Sequence, residues 1–241
     1  MSFSILATGS SQYVSMSIGN CGAMGSGAFT MVVLWQTLND AGSFADRAAV
    51  TLQASSSTVR SILDVDRVLY AFNDFTSGYS SITSKTWYVA AVSKPAGAAH
   101  YRYHLWAYAS NGSGTMSHGE TTGAANQSDG STATSILIGD DNDSTIHTNG
   151  LIAVVGLWAS QLSDGQLDTL KSPNLSSWAA LSPQALITGN NWNGSTGAAD
   201  VAGTSTQQSI TGTVGVGAEP PSFNYTLGGG SSSTPMAWIH A

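Results

Sequence analysis

At 241 residues, with 41% hydrophobic and 9% aromatic side chains, the chain is long enough to bury a substantial core in one large domain or two small ones. Only 9% of its residues are charged, against about 25% in an ordinary globular protein, so Ser, Thr, Asn and Gly must carry solubility. Seven bases against fourteen acids give a net charge of −7, which leaves no basic patch to neutralise a phosphate backbone and excludes nucleic-acid binding.

The N-terminal decapeptide has neither the basic region nor the apolar run of a signal peptide, and no later apolar run approaches membrane-spanning length. The expectation is a protein made in a cytoplasm and not exported by the usual route. Strands are predicted over residues 13–18 and 29–37, the second being rich in β-branched and aromatic residues. The Gly-rich turn between them holds Cys21, the one cysteine, which excludes an intramolecular disulfide and a cysteine-cluster zinc site. Short strands follow over residues 48–53, 58–63, 68–73 and 87–93, the last stopped by Lys94-Pro95.

Residues 100–109 alternate strictly. His100, Arg102, His104, Trp106 and Tyr108 share one face, while Tyr101, Tyr103, Leu105 and Ala107 share the other. The strand runs into Asn111-Gly112, a dipeptide that favours tight reversal. Residues 110–134 read as a polar loop with room for one hairpin. Strand, acidic turn, strand and capped helix then occupy residues 136–170. The second of these strands, 151–158, is apolar on both faces and must be covered on both. Ser163 is the expected N-cap, Gln166 completes a capping box, and Leu162 and Leu167 stand where a hydrophobic staple needs them. A further helical turn or two is expected over 177–186, broken near Pro183. Strand character returns over 186–223, best at 208–216. A Gly/Ser linker starts at Gly228 and carries a tail whose Trp238 and Ile239 are read as docking a neighbouring subunit. The predicted fold is all-β, a two-sheet antiparallel β-sandwich with one short helix near 163–170.

Chemistry is sparse. The two glutamates, Glu120 and Glu219, fall in loop-like sequence, and the one alternating acidic pair is Asp64 and Asp66. A retaining glycosidase needs two carboxylates about 5 Å apart across a cleft, so hydrolysis is disfavoured and no catalytic residue is assigned. Asp140, Asp141 and Asp143 could offer hard oxygen ligands to calcium, against the alternative of a solvated acidic hairpin. His100 and His104, four apart on a strand, stand roughly 13 Å from each other, too far to share zinc. The row Arg102, His104, Trp106 and Tyr108 suits three roles: core packing, a subunit interface, or stacking on sugar rings.

The order of these elements carries a family resemblance. Gly150, Ile152, Val155 and Trp158 precede Leu162-Ser163-Asp164, the Trp87 strand stands upstream, and His104 to Gly112 forms a strand-then-Asn-Gly hairpin. Over roughly residues 10–180 the chain resembles laminin-G-like, concanavalin A-like jelly-roll domains, although Thr148 stands where they often carry an aromatic. Beyond 180, Trp192, Asp200-Val-Ala-Gly203, Thr211-Gly-Thr213 and Pro220-Pro-Ser-Phe223 are similar to extensions on laminin-G-like structural proteins of tailed bacteriophages. The resemblance implies a jelly roll over 1–186, a strand extension packed on it over 187–227, and the linker and tail over 228–241. It further implies a non-enzymatic virion component, a head decoration or minor tail protein. Such a component would be homo-oligomeric, in contact with capsid or tail proteins, and able to adhere to host-surface glycans. The alternative is a stand-alone carbohydrate-binding module, with a glycoside hydrolase behind both.

Overall fold

The computed structural model describes residues 2–5, 12–24, 27–37, 47–54, 57–65, 68–71, 74–80, 82–83, 85–96, 101–120, 133–140, 150–189, 196–211, 214–217 and 220–227. Within them the chain forms β1 (Ser2–Ile5), β2 (Tyr13–Ser17), β3 (Phe29–Thr37), β4 (Arg47–Ala54), β5 (Ser57–Val65), β6 (Val68–Ala71), β7 (Asp74–Ser80) and β8 (Trp87–Lys94). Next come β9 (Arg102–Ala107), β10 (Ser117–Glu120), β11 (Ser135–Ile138) and β12 (Gly150–Trp158). Two short helices follow, α1 (Asp164–Thr169) and α2 (Leu175–Ala179). The chain then adds β13 (Ala185–Thr188), β14 (Ala199–Asp200), β15 (Gln207–Thr211) and β16 (Val214–Gly217).

These strands make two antiparallel sheets, the sandwich that the sequence predicts. The first runs β10-β9-β8-β3-β12, after which the far edge of β12 is shared: β1 takes Gly150 to Ile152 and leads to β16, while β13 takes Val154 to Leu157 and leads to β14. The second sheet runs β15-β2-β11-β4-β5-β6-β7. Residues 208–216, read as one strand from sequence, are two. β15 pairs with β2 in the second sheet and β16 with β1 in the first, so Ile210 and Val214 reach the same core from opposite sheets.

Side-chain alternation builds two cores. Phe29, Met31, Val33 and Trp35 of β3 face the space between the sheets, with Val14, Val50, Leu52, Ile136 and Ile138 opposite them. Val32 and Leu34 point the other way, into a second core with Trp87, Val89, Trp158, Leu167 and Trp178. The first sheet is therefore covered on both faces, which is why β3, β8 and β12 read as near-continuous apolar runs. On β12 a bulge between Ile152 and Val154 shifts the alternation, so that Ile152 and Val155 face the first core while Ala153 and Val154 face the second.

The cover over the outer face is α1, α2 and residues 220–227. Ser163 caps α1 as expected: its side chain accepts from Gln166 N while Gln166 Oε1 accepts from Ser163 N. Leu162 and Leu167 are both buried in the second core. The second helix begins earlier than the sequence suggested, because Asn174 caps it by accepting from Ser176 N at 3.0 Å. The two buried indoles beneath satisfy their N–H groups, Trp158 on Leu181 O at 3.0 Å and Trp178 on Leu170 O at 3.2 Å.

Candidate functional site

Strand β9 sets the geometry of the residues singled out from sequence. Its odd positions, Tyr103 and Leu105, go to the inter-sheet core, and its even positions, Arg102, His104 and Trp106, to the outer face. Of the three roles open to this row, core packing is the one Trp106 has. It is 2% exposed, its Nε1 donates to Ser113 O at 3.0 Å, and its ring meets Tyr108 edge-on with centroids 5.4 Å apart. Tyr108 is half-buried, donates its hydroxyl to Pro221 O at 2.8 Å and touches the Phe223 ring. Burial pushes its phenol up to about 12.

Arg102 and His104 are drawn into a polar cluster where β9, β10 and α1 meet. The hairpin register sets His118 of β10 directly opposite His104, with their Nδ1 atoms 2.7 Å apart and their rings edge to face. His104 Nε2 lies 3.2 Å from Ser93 Oγ on β8. The first turns of α1 supply Asp164 and Asp168, which share one helix face at i and i+4. Arg102 Nη2 donates to Asp164 Oδ2 at 2.8 Å and lies 2.7 Å from Oδ1. His118 Nδ1 is 3.7 Å from Asp164 Oδ1, and His118 Nε2 is 3.4 Å from Asp168 Oδ1. Burial, then the neighbouring His118 and Arg102, lowers the His104 imidazole to about 3, against the pull of Asp164, so it is neutral at physiological pH. The Arg102 hydrogen bond is the main cause that holds the Asp164 carboxyl below the usual range.

Sequence reasoning searched for metal pairs along one strand and passed over this cluster, because its members meet across strands. The signal was present nonetheless. His104 and His118 stand seven residues either side of Asn111 (111 − 104 and 118 − 111), so a hairpin centred there pairs them. Asn111 does turn the chain, accepting from Ser113 N at 3.0 Å, and Gly112 takes the positive φ of +68° that follows.

A second concave feature lies at the edge strand β15. The ladder to β2 slips between Gln207 and Ser209, leaving Gln208 as a bulged residue. Around it opens a pocket of about 450 Å³ lined by Thr196, Gly197, Ala198, Gln207, Gln208, Ser209 and Ile210. Gln208, Ser209 and Thr196 are exposed. Gln207 Oε1 accepts from Ala198 N at 3.2 Å and Gln208 Oε1 from Ser15 Oγ at 3.4 Å, which fixes both amides. The lining holds amides, hydroxyls and small apolar groups, with no charged side chain.

The remaining sequence candidates are placed as follows. Asp140, two residues beyond β11, is fully buried, whereas Asp141 and Asp143, the other calcium candidates, lie outside the described residues. So do Trp238 and Ile239, Asp66 and Glu219, and His100. Asp64 belongs to β5, and Glu120 is exposed at the end of β10.

Neither a protein-family model nor a curated protein matches the chain. Among solved structures it is similar to a Ruminococcus gnavus IT-sialidase CBM40, at 12% identity and a TM-score of 0.46 over 71% of this chain and 97% of that one. The same module bound to alpha2,3 sialyllactose is similar at 12% identity and a TM-score of 0.44, over 67% of this chain and 94% of that one. Trypanosoma rangeli sialidase is similar at 11% identity and a TM-score of 0.42 over 61% of this chain, which spans only 22% of that enzyme's length. At such identity no function passes from those proteins to this one.

Proposed function

We propose that this chain is a non-catalytic module that binds neutral carbohydrate at the bulged edge of its second sheet. The observation that carries the reading is the β15 pocket: about 450 Å³, within the usual size for a small-ligand site, and lined by amide and hydroxyl groups without a charge. Sugar hydroxyls are donors and acceptors at once, and Gln and Ser side chains match both. An anionic sugar would find no Lys or Arg in that lining to replace its lost hydration. Because Gln207 and Gln208 are held by Ala198 and Ser15, part of the ordering cost of binding is met before the ligand arrives.

The virion setting and the homo-oligomer implied by the sequence resemblance concern where such a module works, and the binding proposal does not depend on them. A glycan array carrying neutral and sialylated oligosaccharides tests it. Signal on neutral glycans, lost in Gln208→Ala and Ser209→Ala, is the expected result. Silence across the array, or binding untouched by both substitutions, would sink it.

A further inference from the structure

The geometry points to a divalent transition-metal site formed by His104, His118 and Asp164, which clips the β9–β10 hairpin to the first turn of α1. Their donor atoms, one from each residue, all lie within 4.8 Å of one another. The donors come from three elements, so an ion there would tie α1 to the hydrogen-bonded β9–β10 hairpin.

The outer ring nitrogens are already engaged. A carboxylate can only accept, so Asp168 Oδ1, 3.4 Å from His118 Nε2, directs the His118 proton to Nε2 and leaves its Nδ1 lone pair facing inward. Ser93 Oγ can donate or accept. Without metal, His104 donates from Nδ1 to His118 Nδ1 across 2.7 Å while Ser93 donates to His104 Nε2. With metal, the Ser93 hydroxyl turns to accept from Nε2–H and frees the second Nδ1 lone pair. The His104 proton moves from Nδ1 to Nε2, so the ion takes the place of one shared proton by a change of tautomer. An imidazole held from behind by a hydroxyl or a carboxylate is the usual supporting arrangement for a metal-bound histidine.

Two further features bear on a cation. Asp164 Oδ1 and Asp168 Oδ1 are both screened from water, so their charge is met by side chains, Arg102 at 2.7 Å from the first and His118 and Lys171 at 3.4 and 3.9 Å from the second. The side chains of His118 and Asp164 are 21% and 43% exposed, which supplies an entry path and a position for a water ligand. A tetrahedral zinc ion with bonds of about 2.0–2.1 Å places neighbouring donors about 3.3 Å apart. The 2.7 Å histidine contact must therefore open, the 3.7 Å approach of Asp164 to His118 must close, and all three donors, now within 4.8 Å of one another, must draw to that spacing. Two imidazoles and one carboxylate select zinc, cobalt, nickel or copper over calcium or magnesium. Arg102 opposes binding, since its guanidinium already contacts both Asp164 oxygens.

The test uses the full chain prepared without a histidine tag and stripped with chelator, titrated with Zn²⁺ by calorimetry and with Co²⁺ by visible absorption. Expected are one ion per chain, a four-coordinate Co²⁺ spectrum and a raised Tm. His118→Ala and Asp164→Asn should each weaken binding at least about tenfold, and Arg102→Gln should tighten it. Asp164→Asn keeps the side-chain shape and decides the matter alone if His118→Ala fails to fold. The site is overturned if the folded, stripped protein takes up neither ion at millimolar concentration. It is equally overturned if uptake is unchanged in both variants, which would place the ion on other histidines, or if nitrogen NMR shows a proton shared by the pair whatever metal is added.

Discussion

The indole of Trp158 stands over Gly156, two residues earlier on the same face of β12, so that a β-carbon built at Gly156 would meet Trp158 Cζ3 at 2.6 Å and Trp178 Cε3 at 3.4 Å. The glycine is thus the floor on which the second core is laid. Gly156→Ala must displace a buried indole whose Nε1 is tied to Leu181. Overpacking of this kind costs about 1–3 kcal/mol, and the expected loss is at the upper end. Urea unfolding should show a lower midpoint with an unchanged slope, and an unaffected midpoint would mean that the Trp158 indole does not cover Gly156.

Thr30 fastens the helical cover to the first sheet. It is fully buried on the outer face of β3, donates from Oγ1 to Ser160 O at 2.8 Å and accepts from Leu162 N at 2.9 Å. Thr30→Val preserves shape and removes both partners, leaving a carbonyl and an N–H without their hydrogen bonds. Each costs about 1–3 kcal/mol when buried, though the loss of two need not be additive. Hydrogen exchange should report the change locally: the Leu162 amide and α1 should lose protection first, ahead of β4 and β11 in the other sheet.

The sandwich was legible because its signals are local. Apolar, β-branched and aromatic runs mark β3 and β8, alternation marks β9, and the Ser163–Gln166 capping box marks α1 to within a residue. Double burial of β12 was legible from its unbroken apolar run. What stayed hidden depends on partners distant in sequence. Trp106 has the composition of a sugar platform, and only the packing of residues 220–227 against this face shows it to be core. His118 looks like a lone loop histidine until the hairpin register faces it with His104. Asp164 and Asp168 read as helix-start charges until α1 docks on that same hairpin. The β15 pocket depends on a one-residue slip that periodicity does not reveal.

Cys21 should be inert in the folded protein. It is fully buried in the inter-sheet core, and burial, followed by the charge of Asp200, pushes its thiol up to about 12. The thiolate is the reactive form, so a disulfide reagent at pH 8 should modify the native chain only as fast as it opens. Addition of denaturant should release one rapid equivalent. Rapid modification of the native protein at pH 8 would mean that Cys21 is not buried in the inter-sheet core.

Alkaline stability is set in part by Tyr108, whose phenol is raised to about 12 from an ordinary value of 10.0 by burial. The sign follows from linkage. An acid whose folded pKa lies above its unfolded one binds its proton more tightly when folded, so its contribution is complete below the unfolded value. As pH rises from 10 to about 12 the unfolded chain loses this proton first, and the contribution disappears. Ionisation also removes the donor to Pro221 O, which holds residues 220–227 against β9. Tyr108→Phe lacks both the hydroxyl and its titration. The variant should be less stable than wild type at pH 8, through loss of the Pro221 hydrogen bond, and the gap between the two should narrow from pH 10 upward. Urea midpoints for both proteins from pH 8 to pH 12 measure this, and a gap that is constant or widens with pH would show that Tyr108 is hydrated and ionises as an ordinary surface tyrosine.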